Sequence, residues 1–281
     1  MSEYPTFVFV HGSGSNSFLW TPLMRELALL GHRTLAVDLP NHGFGAQYPA
    51  SYQAPQDLDA LATEPSTLAS VTLADNVNHV VGIVRRVAEH GPVILVGTSL
   101  GGLTISGVGN VVPELIGRIV YISAWCCVEL PSLAAYVQTP EFSEQMTVTV
   151  PPVGDPAALG AVRVNWRTAD AGFFADAKHL FMADATDDEF RVFLNTLQPD
   201  SSMAVLTADA RVDAATWGTI PRSYIRLTED RTTPVVFQDR MIAEADALTP
   251  DNPFDVHSVE SSHAGFVLRS AEVAKILAGL A

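Results

Sequence analysis

The sequence predicts an α/β fold: a mostly parallel central sheet with helices on both faces and a helical cap. Two observations carry this. Six short apolar runs read as strands: Thr6–Val10, Arg33–Val37, Val93–Val96, Arg118–Ser123, Tyr224–Leu227 and Asp255–Val259. Stretches with helical spacing alternate with them. The alternation stops between about 128 and 216, where several helical patterns and no convincing buried strand occur. That block is expected to be a cap, inserted in a core formed by residues 1–127 and 217–281. A cap over the carboxyl ends of parallel strands would wall a ligand pocket.

The elements follow in order. Thr6–Val10 is the first strand, and the glycine-containing stretch His11-Gly12-Ser13-Gly14-Ser15 comes directly after it. Arg33–Val37 is the second. Asn41 to Ala69, rich in Pro, Ala, Gln and Tyr, has no clear period and is long for a plain connection. It is expected to be an ordered excursion over the sheet edge. From Thr72 a helix begins, with Leu73, Val77, Val80, Val81, Val84 and Val87 on one face and Thr72 and Asp75 placed as a capping pair. Gly91-Pro92 ends it, and the strand Val93–Val96 follows. A further helix runs from after Ser99 to about Val112. Within the cap, Thr186-Asp187-Asp188-Glu189 followed by Phe190, Phe193, Leu194 and Leu197 is the clearest helix. Ser270–Leu280 closes the chain as a helix, with Val273, Ile276, Leu277 and Leu280 inward.

Bulk properties narrow the function. The chain has 281 residues, 48% hydrophobic and 17% charged, which predicts a sizeable core. Its net charge of -15 argues against nucleic acid and anionic membranes as partners. No apolar run approaches ~20 residues, so no membrane span is expected. The start MSEYPTFVFVHG lacks a basic leader and a cleavage site, so no signal peptide is expected. Cys126 and Cys127 are adjacent, a geometry that suits a disulfide poorly. They are expected to be reduced thiols in a cytoplasmic protein. A redox or metal pair is the alternative, but no further cysteine or suitably spaced histidine completes such a site.

The chemistry centres on Val96-Gly97-Thr98-Ser99-Leu100-Gly101-Gly102. A serine hydroxyl is a poor nucleophile at neutral pH and needs a base and a group that orients the base. A tight strand-to-helix turn, with Gly97 and Gly101 two residues either side, can expose Ser99. The base is expected on a loop after a later strand. His263 sits in such a place, after Asp255–Val259 and before the last helix; His257 is its rival but lies within the strand. The acid is expected at another strand end. Asp230 follows Tyr224–Leu227, with Glu229 its neighbour and Glu129 a third candidate. Backbone N–H groups of Ser13 and Leu100 are the candidate oxyanion hole, and His11 is expected to be structural. A phosphate cradle is the rival reading of the first loop, but GSGSNS lacks both the Gly-Lys-Ser/Thr ending and the GxGxxG spacing. Trp20, Trp125, Phe142, Trp166 and Phe266 are candidate pocket walls; Trp125 and Phe266, beside the motifs, are the expected substrate-binding pair.

FVFVHGSGSNSFLW, AVDLPNHGFG, VGTSLGG, RLTEDRTTP and SSHAGF, in this order, resemble the motifs of the α/β-hydrolase superfamily across essentially the whole chain. The pattern is most similar to the plant methylesterase and hydroxynitrile lyase branch and its bacterial relatives. The resemblance implies an α/β-hydrolase fold, Ser99, Asp230 and His263 as catalytic triad, and Ser13 and Leu100 as oxyanion donors. A hydrolytic triad needs only water as second substrate, and the chain has no convincing metal-ligand cluster or dinucleotide fingerprint, so no metal and no organic cofactor is expected. Thr98 departs from the pattern, in which a histidine is common. Serine at the elbow argues against the similar dehalogenases and epoxide hydrolases, which attack through a carboxylate. The lyases of the branch carry a lysine after the catalytic histidine and a threonine after the first-loop histidine. Here those positions are Ala264 and Gly12. The expectation is therefore a serine esterase or lactonase acting on a small-molecule ester or lactone with an apolar or aromatic group. Thioesterase and C–C hydrolase activity, a cofactor-independent lyase, and a hydrolase-like binding protein with little turnover are the alternatives. Natural substrate, stereochemistry and oligomeric state are not legible.

Overall fold

The computed structural model describes residues 4–146 and 148–281. The leader reading rests partly on residues 1–3, which lie outside them. Six parallel strands form the central sheet: β1 Thr6–Val10, β2 Arg33–Val37, β3 Val93–Ser99, β4 Ile116–Ala124, β7 Arg222–Leu227 and β8 Asp255–Val259. Their order is β2-β1-β3-β4-β7-β8. Parallel neighbours require crossovers, and helices supply them on both faces. β1, β2 and β8 have the expected bounds, whereas β3, β4 and β7 are longer than their apolar runs. β3 continues through Gly97 and Thr98 to Ser99, because backbone pairing with β4 does not require apolar side chains.

Alternation along each strand sorts the core into two halves. Phe7 and Phe9, Ile94 and Val96, Val120 and Ile122, and Ile225 and Leu227 face one side, against Trp20, Leu23 and Leu27 and the closing helix Ser270–Gly279. Val8 and Val10, Val93 and Leu95, and Ile119 and Tyr121 face the other, against the helices Leu73–Ala88, Gly101–Val111 and Val235–Leu248. Each such fully buried side chain is worth about 1.5–3 kcal/mol through removal from water. Trp20 is among them: it packs 4.9 Å from Phe9, ring to ring, and is a core residue rather than a pocket wall. Thr72 and Asp75 form the expected reciprocal cap.

Between β4 and β7 the chain leaves the sheet. This insertion holds the helices Leu133–Val137, Pro140–Gln145, Ala171–Phe181, Asp187–Thr196 and Met203–Thr207. It also holds two short antiparallel strands, β5 Ala161–Arg163 and β6 Asp200–Ser202, where none was expected. They escape an apolar-run reading because they are three residues long and, Ala161 apart, their buried residues are polar. Arg163 is fully buried and grips Asp200 through two bonds of 2.6 and 2.8 Å. Its Nη1 donates to the carbonyls of Leu61 and Glu64, at 2.6 and 2.7 Å. Those carbonyls belong to the excursion Asn41–Ala69, which is ordered as expected and buries Tyr52, Leu61 and Leu68. No helix among the described residues is long and apolar enough to cross a membrane.

Candidate active site

β3 runs into a turn at Ser99, whose φ of 52° lies in the left-handed region. A non-glycine residue held there costs on the order of 1–3 kcal/mol and persists only when its surroundings enforce it. Here Trp125 N–H donates to the Ser99 carbonyl at 3.0 Å, and the helix Gly101–Val111 starts at once. The turn passes close to the first loop. A methyl group on Gly101 would stand 2.6 Å from the His11 carbonyl oxygen, and one on Gly12 would stand 2.8 Å from Ser99 Cβ. Both glycines are required by this approach rather than by flexibility.

The loops after β7 and β8 bring the next two groups together. His263 Nδ1–H donates to Asp230 Oδ2 at 2.6 Å, and both residues are buried. Asp230 Oδ1 accepts from the N–H groups of Thr232 and Thr233 at 2.7 and 2.8 Å. The remaining place on Oδ2 is taken by Ser123 Oγ–H, also at 2.6 Å. The carboxylate is therefore fixed in rotation and fully satisfied. Nδ1 of His263 carries the proton, which leaves Nε2 free to act as an acceptor. The other candidates lie elsewhere. Glu229 is exposed, and Glu129 is exposed with Oε2 3.9 Å from Arg240. His257 is half-buried on the edge strand beside Asp255, not packed in the core.

Ser99 and His263 open on one cavity of about 310 Å³, as do Ser13 and Leu100. Its core side includes Trp125 and Phe266; its insertion side includes Phe142, Trp166, Phe181 and Phe193. No Lys, Arg, Asp or Glu lines it among the described residues. A charged ligand entering it would lose its hydration with no opposite charge in return.

Two sets of contacts tie the insertion to these loops. The last carbonyls of the helix Ala171–Phe181 lack partners within that helix. Phe181 O accepts from Ala264 N–H at 2.7 Å, and Leu180 O accepts from Thr232 Oγ1–H at 3.1 Å. One helix end thus braces the loops of both His263 and Asp230. On the other side, Gln198 N–H donates to Gly14 O at 2.7 Å, and Ser13 Oγ lies 2.5 Å from Ser201 Oγ.

His11 is fully buried, and its role is structural. Nδ1–H donates to Gly12 O at 2.9 Å, while Nε2 accepts from Leu39 N–H at 3.2 Å. This pair of bonds needs a neutral ring. Burial, with His42 nearby, pushes its pKa down to about 3. Cys126 and Cys127 are free and buried. Burial pushes the Cys126 thiol up to about 12 and raises Cys127 as well, so neither is a thiolate at neutral pH. Among the described residues no group of three or more His, Cys, Asp or Glu is placed to hold a metal ion.

Sequence reasoning missed Ser123 and the weight of Phe181 and Phe193. Nothing in residue type or spacing marks Ser123; only the pairing of β4 with its neighbours aims it at Asp230.

The alpha/beta hydrolase family model matches residues 7–276, so the chain belongs to that family. Among curated relatives, polyneuridine aldehyde esterase of Rauvolfia serpentina is 22% identical over 271 residues, 96% of this chain and 93% of its own. Norfluorocurarine synthase 1 of Strychnos nux-vomica is 25% identical over 243 residues, 84% of this chain and 82% of its own. An esterase of Mycobacterium tuberculosis is 34% identical over 118 residues; the match spans 42% of this chain and 32% of the esterase. Among solved structures, polyneuridine aldehyde esterase superposes with a TM-score of 0.69 at 20% identity, covering 99% of each chain. A pyrethroid hydrolase superposes with 0.72 at 20% identity, covering 98% of this chain and 96% of that one. These likenesses show the fold, and the esterase relatives support ester hydrolysis at the level of the family.

Proposed function

We propose that this member of the alpha/beta hydrolase family hydrolyses a carboxylic ester or lactone of a small, neutral, apolar or aromatic substrate through an acyl-enzyme. Ser99, His263 and Asp230 are the triad, and residues 128–216 are the cap. The observation that carries the reading is the 2.6 Å Asp230–His263 bond, with His263 and the left-handed Ser99 facing one uncharged cavity.

Ser99 Oγ attacks the carbonyl carbon while His263 Nε2 takes its proton. Asp230 holds the tautomer that makes this possible and stabilises the imidazolium. Charge develops on the carbonyl oxygen, where the N–H groups of Ser13 and Leu100 receive it. The C–O bond to the leaving alcohol breaks, and His263 returns the proton to that oxygen. Water then adds to the acyl group with His263 again as base, and Ser99 is released with its proton. Cap and core exclude bulk water from the intermediate.

The test combines a panel of p-nitrophenyl esters and lactones with a fluorophosphonate probe. A stoichiometric burst, and labelling of Ser99 alone, are expected. Labelling elsewhere with full activity in Ser99→Ala overturns the reading. Mandelonitrile is the second arm. Among the described residues no lysine lines the cavity, and Ala264 packs among apolar residues of the insertion, so none of them would neutralise a departing cyanide. Rapid benzaldehyde release that His263→Ala abolishes would make the protein a lyase.

A further inference from the structure

We propose that Ser123 is a positioning residue for the acid–base pair: its hydroxyl locks the Asp230 carboxylate in rotation and moderates its hold on His263. This rests on the triad reading above.

The placement of Ser123 is unusual in three ways. It is fully buried within β4, yet its side chain is polar. Its φ is 40°, a left-handed conformation that glycine takes freely and serine does not. It is also the residue that the pairing of β4 with β3 skips: Thr98 pairs with Ile122 and Ser99 with Ala124, which leaves Ser123 as the extra residue of a bulge. Bulges re-aim a side chain. Here the bulge lies directly opposite Ser99 and turns Oγ towards the end of β7, the neighbouring strand in the sheet, where it reaches Asp230 Oδ2 at 2.6 Å. What serine offers at this strained place, and glycine lacks, is that bond.

The chemical consequence follows from sharing one oxygen. Oδ2 accepts from Ser123 Oγ and His263 Nδ1 at equal distances, and Oδ1 accepts from two backbone N–H groups. Each donor draws negative charge from the carboxylate. With Ser123 present, Asp230 has less charge to offer the His263 ring and holds the imidazolium less strongly. Other charged groups near the loop are directed elsewhere. Asp184 accepts from Ser262 Oγ and faces Arg269, while Arg231 bonds His179. Asp230 is the carboxylate that touches the His263 ring.

Two variants test this: Ser123→Gly, which suits the backbone, and Ser123→Ala, which keeps a side chain. Measurements are the pH profile of kcat/KM with p-nitrophenyl acetate and that of fluorophosphonate labelling of Ser99. Removing the hydroxyl is expected to lower kcat roughly 10-fold at near-constant KM. The acidic limb of both profiles should move up by roughly half a pH unit, because the imidazolium gains a stronger partner. A purely structural serine would change the melting temperature and leave the limb in place. A folded variant of either kind with the wild-type limb overturns the proposal. If wild-type Ser99 is not labelled at any pH, the triad reading falls and takes this one with it.

Discussion

The core side of the cavity and the side supplied by the insertion differ in what holds their residues. Ser99 ends β3, and Ser13, Asp230 and His263 stand just beyond the carboxyl ends of β1, β7 and β8. Sheet hydrogen bonds set the spacing of those ends, neighbouring strands lying about 4.8 Å apart. Trp166, Phe181 and Phe193 come from short helices and loops that pack mainly on one another, Trp166 5.6 Å from Phe181, ring to ring, and Phe190 6.1 Å from Phe193, whereas Phe142 packs on the core at Phe237, 5.0 Å away. The insertion meets the core through scattered bonds, among them those of Phe181, Leu180, Gln198, Ser201 and Arg163. The groups proposed to make and break bonds are thus carried on a ladder of backbone hydrogen bonds. Groups that select by shape are carried on side-chain contacts, which can be altered singly.

The contrast can be broken first at the core. Asp230→Asn keeps the size of the side chain but forces the wrong tautomer on His263. A fall in kcat of roughly 10⁴-fold is expected with the fold intact, whereas Glu129→Gln leaves kcat unchanged. Steady-state kinetics on one p-nitrophenyl ester check both; equal losses would remove the distinction between Asp230 and a surface carboxylate.

The insertion has one core-like anchor, and breaking it tests whether the two sides fold as one. Arg163→Ala leaves Asp200 buried without its partner, and a loss of about 3–5 kcal/mol in urea unfolding is expected. If the insertion unfolds by itself, fluorophosphonate labelling of Ser99 survives past the first transition. A single coincident loss would show that cap and core are one cooperative unit.

The core also stores a pH dependence beside the first loop. The pKa of His11 is lowered from 6.5 to about 3, so the unfolded chain binds the proton more readily than the folded one. Its contribution to stability is complete above pH 6.5 and is lost as pH falls towards 3, at about 1.4 kcal/mol per pH unit. Urea unfolding of the wild type between pH 7.5 and 4.5 should show this extra slope against His11→Gln. Parallel curves would mean that His11 takes its proton in the folded state without penalty.

The mildest change lies on the insertion wall. Phe181→Ala removes from the cavity a ring whose centre lies 6.3 Å from that of His263. KM for aromatic esters is expected to rise roughly 10-fold, with kcat nearly constant. A large fall in kcat instead would mean that the ring holds His263 in place as well as walling the cavity.

The sequence by itself determined the sheet, the two faces of its core and the identity of the principal side chains. The reason is locality: alternation along β1 or β3, the cap at Thr72, and a serine between glycines after an apolar run are all patterns within a few residues. Tertiary structure decided what distant segments do to one another. The helix Val235–Leu248 gave little periodic signal because it buries Gln238 and Glu244 along with Phe237 and Met241. β5 and β6 gave none, since Arg163 and Asp200 are buried only through each other. Trp20 and Phe142, alike as aromatic candidates, were separated by packing into a core residue and a cavity wall. Ser123 meets Asp230 across 107 residues of chain, through a bulge in one strand and a turn after another. Such a contact depends on strand register and backbone conformation at both ends, and neither is a property of the residues around it.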